Sequence, residues 1–146
     1  MARYSIGGRA TVVGTSARAV VSIFNTAAGS FSIREIGVSN TTAVAVTVGV
    51  IRFSAATNVG TGLTEVQYDP TSFPPLCTVF AGHTADGTTA GGTIVQASLG
   101  AAVGSGWVWT FGDCGLRATV GTANGVGVYI PTGTGQLLDV YVVWDE

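Results

Sequence analysis

The sequence predicts an all-β domain, a β-sandwich of the jelly-roll type with eight or more antiparallel strands and one long loop. Three observations predict it. Apolar residues alternate with small or polar ones over long stretches, which is the period of a half-buried strand and not of a helix. Glycine-rich turns recur between these stretches, with 22 glycines in the chain. No segment keeps a helical period. The nearest, Gln96–Val103, is bounded by Gly100 and Gly104, which discourage more than one turn.

The elements follow in order. Short strands are predicted at Arg3–Ile6, Ala10–Val13 and Arg18–Phe24, and a longer one at Ser32–Ser39. The clearest is Thr42–Phe53, where Val44, Val46, Val48 and Val50 share one face and Ala43, Ala45, Thr47 and Gly49 the other. Thr93–Leu99, Gly106–Phe111, Leu116–Thr119 and Gly125–Ile130 come next. The last is Leu137–Trp144, with Leu138, Val140, Val142 and Trp144 opposite Asp139 and Tyr141. Thr26–Ser30, Ser39–Thr41, Gly112–Gly115 and Gly121–Gly125 supply turns, and Pro131 ends the strand before it. Residues 58–92 hold three of the four prolines (Pro70, Pro74, Pro75) and the single histidine. They read as a long irregular loop with one short strand near Thr78–Phe80, and such a loop is commonly a contact element. The 146 residues make one domain, 1–146, large enough for a core of its own. Residues 1–8 are the only stretch that could serve as an N-terminal contact arm.

Composition narrows the function. Charged residues are only 10% of the chain, there is no lysine, and the net charge is −2. Typical domains carry about 25% charge, and a free monomer uses it to stay apart from its neighbours. So neutral a surface suggests contact with other protein chains. With no basic stretch, nucleic-acid binding is not expected. No signal peptide and no run of 18 apolar residues is seen, so no membrane partner is expected. The two cysteines, Cys77 and Cys114, form no C-x-x-C; free thiols or one mutual disulfide are both compatible with their spacing.

A search for chemistry finds little. Cys77, His83 and Asp86 could form a nucleophile set, but a polar loop facing water explains them as well, and His83 with Asp86 offers too few ligands for zinc. No two carboxylates stand out as a glycosidase pair. Gly121-x-x-x-Gly125-x-Gly127 has no lysine and no following helix, so it is not a phosphate loop. The expectation is therefore a non-catalytic chain with no cofactor and no metal. Trp107 and Trp109 share a strand face, which suits a glycan platform as well as a core or interface anchor.

Three stretches carry a resemblance: the opening Ala2–Thr11, Ile33–Thr42, and the C-terminal phrases Trp109–Asp113, Gly121–Gly125, Pro131–Gln136 and Trp144–Glu146. They resemble small virion-associated proteins of tailed bacteriophages of actinobacteria, and within that class the capsid decoration, or cement, proteins. The resemblance implies a β-rich structural protein made in the host cytoplasm. It would sit as a homotrimer on the capsid surface and bridge the major capsid protein. It implies no catalytic residue. The expected contacts are Arg3 and Tyr4, with Asp69, Pro70, Phe73, Pro74 and Leu76 of the long loop. The alternative is a tail or fibre-tip module that binds a host-surface glycan through Trp107 and Trp109.

Overall fold

The computed structural model describes residues 1–11, 18–26, 28–55, 60–84, 87–132 and 136–146. Among them are thirteen β-strands and no helix. They form two antiparallel sheets, a β-sandwich. The long strands are β1 (Arg3–Thr11), β2 (Ala19–Phe24), β3 (Phe31–Asn40) and β4 (Val46–Ala55). Four short strands follow: β5 (Thr61–Leu63), β6 (Val66–Gln67), β7 (Thr78–Ala81) and β8 (Thr88–Thr89). Then come β9 (Val95–Leu99), β10 (Gly106–Thr110), β11 (Leu116–Ala118), β12 (Gly125–Thr132) and β13 (Leu137–Asp145). The first sheet runs β10-β3-β13-β1-β6, with β11 also on β3. The second runs β5-β7-β2-β12-β4-β8, with β9 also on β4.

The alternation seen in the sequence sets this arrangement. Leu138, Val140, Val142 and Trp144 of β13 are all buried, as are Val46, Val48 and Val50 of β4. With Tyr4, Ile6, Ile33, Ile36 and Val38 they build the core between the sheets. Burying each such side chain is worth roughly 1.5–3 kcal/mol. Val44 departs from the expected face: it is half exposed, because residues 42–44 bend and the strand starts at Val46. Asn40 holds that bend. Its side-chain amide donates to the Val44 and Gly100 carbonyls at 2.6 and 3.0 Å. Its Oδ1 accepts from the backbone N–H and hydroxyl of Thr42, both at 3.0 Å.

Both faces of β2 are buried along its whole length. Its outward face carries a second, smaller core of Ala19, Phe24, Ile51, Phe53 and Tyr129. Gly125 and Gly127 make room for it: a Cβ would sit 2.3 Å from the Phe24 ring and 2.4 Å from the Phe53 ring.

Two expectations are corrected. Residues 1–8 are no free arm. Arg3 to Thr11 form one continuous strand, paired with β13 from Arg3↔Asp145 to Thr11↔Leu137, which merges the two short strands expected there. The expected extension to Val12 and Val13 lies outside the described residues. The described residues of 58–92 are also more ordered than expected: besides the short strand expected near Thr78–Phe80, seen as β7, they hold β5, β6 and β8. These strands add a margin to each sheet: β6 on β1, β7 on β2 with β5 beyond it, and β8 on β4. No helix among the described residues is long and apolar enough to cross a membrane.

Candidate functional site

The residues expected at a protein contact converge where β1, β6 and the chain end meet. Asp69-Pro70-Thr71-Ser72 is a tight turn closed by the Ser72 N–H on the Asp69 carbonyl at 3.0 Å. Asp69 Oδ1 accepts from the Thr71 N–H and hydroxyl at 2.9 and 2.7 Å, and these bonds hold its carboxyl below the usual range. Pro70 presets φ at the second position of such a turn.

The segment after the turn is braced from three sides. The Tyr4 hydroxyl donates to the Phe73 carbonyl at 2.7 Å. Gln67 Nε2 donates to the Ser72 and Phe73 carbonyls, both at 2.9 Å. Glu146 accepts from the backbone N–H of Leu76 at 2.6 Å and of Cys77 at 3.2 Å, and from Trp144 Nε1 at 3.0 Å. Between these anchors lie Pro74 and Pro75, which stiffen the backbone. The result is a rigid loop whose most apolar side chain points into solvent: Phe73 is 86% exposed. Beside it Phe73, Pro74, Pro75, Leu76, Met1 and Ala2 border a hollow of about 610 Å³.

The expected residues divide by role. Phe73, Pro74 and Leu76 form the exposed apolar patch, and Asp69 and Pro70 shape its loop. Tyr4 is only 2% exposed, so it is a brace and not a contact. Burial pushes its hydroxyl up from the ordinary tyrosine value. Arg3 turns away toward Asp145, 2.7 Å from Nε. Asp145 also takes Arg34 Nε at 2.6 Å. These guanidiniums, Arg3 first, hold its carboxyl below the usual range. Glu146 was not anticipated, and Pro75 only as one of the prolines of the long loop. Pro75 adjoins an expected residue; the role of Glu146 leaves no local signal in the sequence.

The two tryptophans do not make a common platform. Trp109 pairs with Ile36 on the inward side of β10 and is 9% exposed, while Trp107, at the rim, is 52% exposed. A second hollow, of about 620 Å³, lies on the outer face of the first sheet, bordered by Gly7, Arg9, Trp107, Val108, Asp139 and Tyr141. Arg9 and Asp139 pair across it at 2.7 Å. The Tyr141 ring crosses the face of Gly37, where a Cβ would lie 2.0 Å from it, and its hydroxyl donates to Glu35 at 2.6 Å. That bond and partial burial leave the hydroxyl pushed up to about 12.

Cys77 and His83 do not come together. Cys77 is buried in the core between the sheets, and burial raises its thiol far above the ordinary value. His83 does not face water as expected. It lies on the other side of the second sheet, 4% exposed, with its ring 6.3 Å from Phe24 and 5.7 Å from Phe53. Asp86 lies outside the described residues. Ser22 Oγ is 2.6 Å from His83 Nε2, but Ser22 is 1% exposed, so no substrate reaches this pair. Cys77 and Cys114 are both free thiols. Among the described residues no three His, Cys, Asp or Glu side chains gather as metal ligands. No family model matches this chain, and the curated proteins compared with it include none that is similar.

Proposed function

We propose that this chain is a structural protein of a virus particle: a decoration protein that binds the outer face of a tailed phage's head as an oligomer and stabilises the shell. The observation that carries the reading is Phe73, a fully presented aromatic on a loop braced by Tyr4, Gln67 and Glu146. A rigid exposed aromatic loses little entropy on binding and makes a strong anchor once a partner buries it. The scarcity of charge supports the same reading. So does the strand order, β1-β13-β3-β10 in one sheet and β2-β12-β4-β9 in the other. Two interlocked Greek keys give that order in a jelly roll, an architecture common in viral capsid proteins. The work would be mechanical: each subunit contributes modest contacts that sum by avidity across the shell. The glycan-binding alternative is weaker, since Trp109 is buried and leaves Trp107 without its neighbour.

The test mixes the purified protein with undecorated heads and follows co-sedimentation and the temperature at which heads rupture. Binding with a higher rupture temperature is expected. Phe73→Ser should keep the protein's own melting temperature within about 2 °C, because the ring is exposed, yet lose at least tenfold in affinity. Wild-type protein that never joins heads, or a Phe73→Ser variant that binds as well, overturns the reading.

A further inference from the structure

We infer that the free edge of β10 pairs with β10 of a second copy, antiparallel across a two-fold axis centred on Val108. The strand Gly106-Trp107-Val108-Trp109-Thr110 has one strand neighbour, β3, along its length. Its other side therefore presents backbone donors and acceptors without a strand partner, which is a template for another chain. Proteins guard such edges with lysine, inward charge, proline or bulges. None is present. From Gly87 to Gly112 the sequence has no charged residue and no proline. The register of β10 on β3 runs without a shift from Gly106↔Ser39 to Thr110↔Glu35. The strand is instead aromatic and β-branched, with Trp107 and Val108 each about half exposed, on opposite faces.

The occupant follows from the sequence of the edge. A two-fold interface joins residue i to j and j to i. Gly-Trp-Val-Trp-Thr is nearly a palindrome about Val108. Antiparallel pairing of two copies sets Val108 on Val108, Trp107 on Trp109, and Gly106 on Thr110. Each half-exposed Trp107 then gains an aromatic neighbour, and the glycine leaves space beside the threonine. No like charges meet. The other edge on this side, β9, alternates Gln96 and Ser98 with its apolar residues and offers less. The pairing would join two first sheets into one continuous sheet. β6, at the opposite margin of that sheet, stays free and leaves the Phe73 loop open. The inference is thus independent of what that loop binds. It replaces the trimer implied by the resemblance with a two-fold pair.

Sedimentation equilibrium of the full chain, with no heads present, tests it. A dimer is expected at tens of micromolar, with Val108→Lys monomeric and Val66→Lys, on the opposite edge, still dimeric. Both positions are exposed, so melting curves should confirm folded variants. A second measurement fixes the register. In a Cys114→Ser background, Val108→Cys places two thiols on directly opposed residues, whose Cα atoms lie about 4.5–5.5 Å apart, within disulfide range. Diamide, which takes up the two electrons and two protons, should link most of the Val108→Cys protein into dimers and leave a Val66→Cys control unlinked. A monomer or a trimer at all concentrations, a Val108→Lys dimer, or equal crosslinking of the two cysteine variants overturns the inference. None of these results bears on head binding, so the two proposals fail separately.

Discussion

Asp145 is 5% exposed; its Oδ1 accepts from Arg3 and its Oδ2 from both Arg3 and Arg34. Arg34 reaches on to the carbonyls of Gly112 and Asp113, so the chain end, β3 and the turn after β10 meet at one carboxylate. Breaking a buried pair costs about 3–5 kcal/mol; with Arg3 half exposed, roughly 1–3 kcal/mol is expected for Asp145→Asn, read from urea unfolding at pH 7. The pH dependence has a definite sign. The folded carboxyl is lowered, so its contribution is complete above the ordinary aspartate value of about 3.9 and fades as pH falls below it. The gap between wild type and Asp145→Asn should therefore narrow as pH falls below about 3.9 in an unfolding series. His83 works in a higher window. Burial lowers its folded value, so the unfolded chain takes up the proton first. Stability should fall as pH drops below about 6.5, and His83→Gln should flatten the slope between pH 7 and 5 in the same assay. These single residues were the least legible in the sequence. Tyr4 was expected at a contact and is a buried brace; His83 was expected in water and is packed between phenylalanines. Burial depends on what the rest of the chain lays over a residue, and no local pattern encodes that.

At the scale of elements, strands with one face in the core were legible because burial on one side imposes the period of two. That holds for β13 and for the start of β4, Val46 to Val48; beyond it β4 is buried on both faces, as Ile51 and Phe53 join the second core. It fails for β5, β6 and β8, which span three, two and two residues and bury none of them. Marginal strands answer to backbone pairing with a neighbour, so their side chains carry no alternation. Within the described residues of 58–92 only β7, near the strand expected at Thr78–Phe80, was therefore legible, while β5, β6 and β8 left no pattern to read. The turn from β3 to β4 gives a test at this scale. Asn40 is fully buried and makes four hydrogen bonds that no other side chain of its size would reproduce. Asn40→Ala should cost roughly 2–4 kcal/mol, the sum of lost bonds and carbonyls left bare, measured as a lower urea midpoint with an unchanged slope. The same geometry uses up the Asn40 amide of the Asn40-Thr41-Thr42 sequence, so that amide is closed to modification in the folded chain.

At the scale of the whole molecule, the two chain ends close the first sheet from its middle. β13 lies between β1 and β3 and pairs with both along most of its length. The Ala2 N–H donates to the Glu146 carbonyl at 2.9 Å and the Glu146 N–H to the Ala2 carbonyl at 3.0 Å. Early and late segments must therefore meet before the sheet exists, a topology that folds in milliseconds to seconds instead of microseconds. Stability is exposed in the same way. Ending the chain after Gln136 removes Leu138, Val140, Val142 and Trp144, each no more than 2% exposed. At roughly 1.5–3 kcal/mol per side chain, that loss is comparable to the entire net stability of a domain, about 5–15 kcal/mol. It also divides the first sheet into β10-β3 and β1-β6, neither wide enough to cover the second sheet. Such a chain should show no cooperative thermal transition and no near-ultraviolet circular dichroism from its remaining tryptophans. Adding the missing segment Leu137–Glu146 as a separate peptide should restore both signals, since the peptide carries the pairing edges for β1 and β3. A truncated chain that melts cooperatively by itself would show that the first sheet does not depend on its central strand.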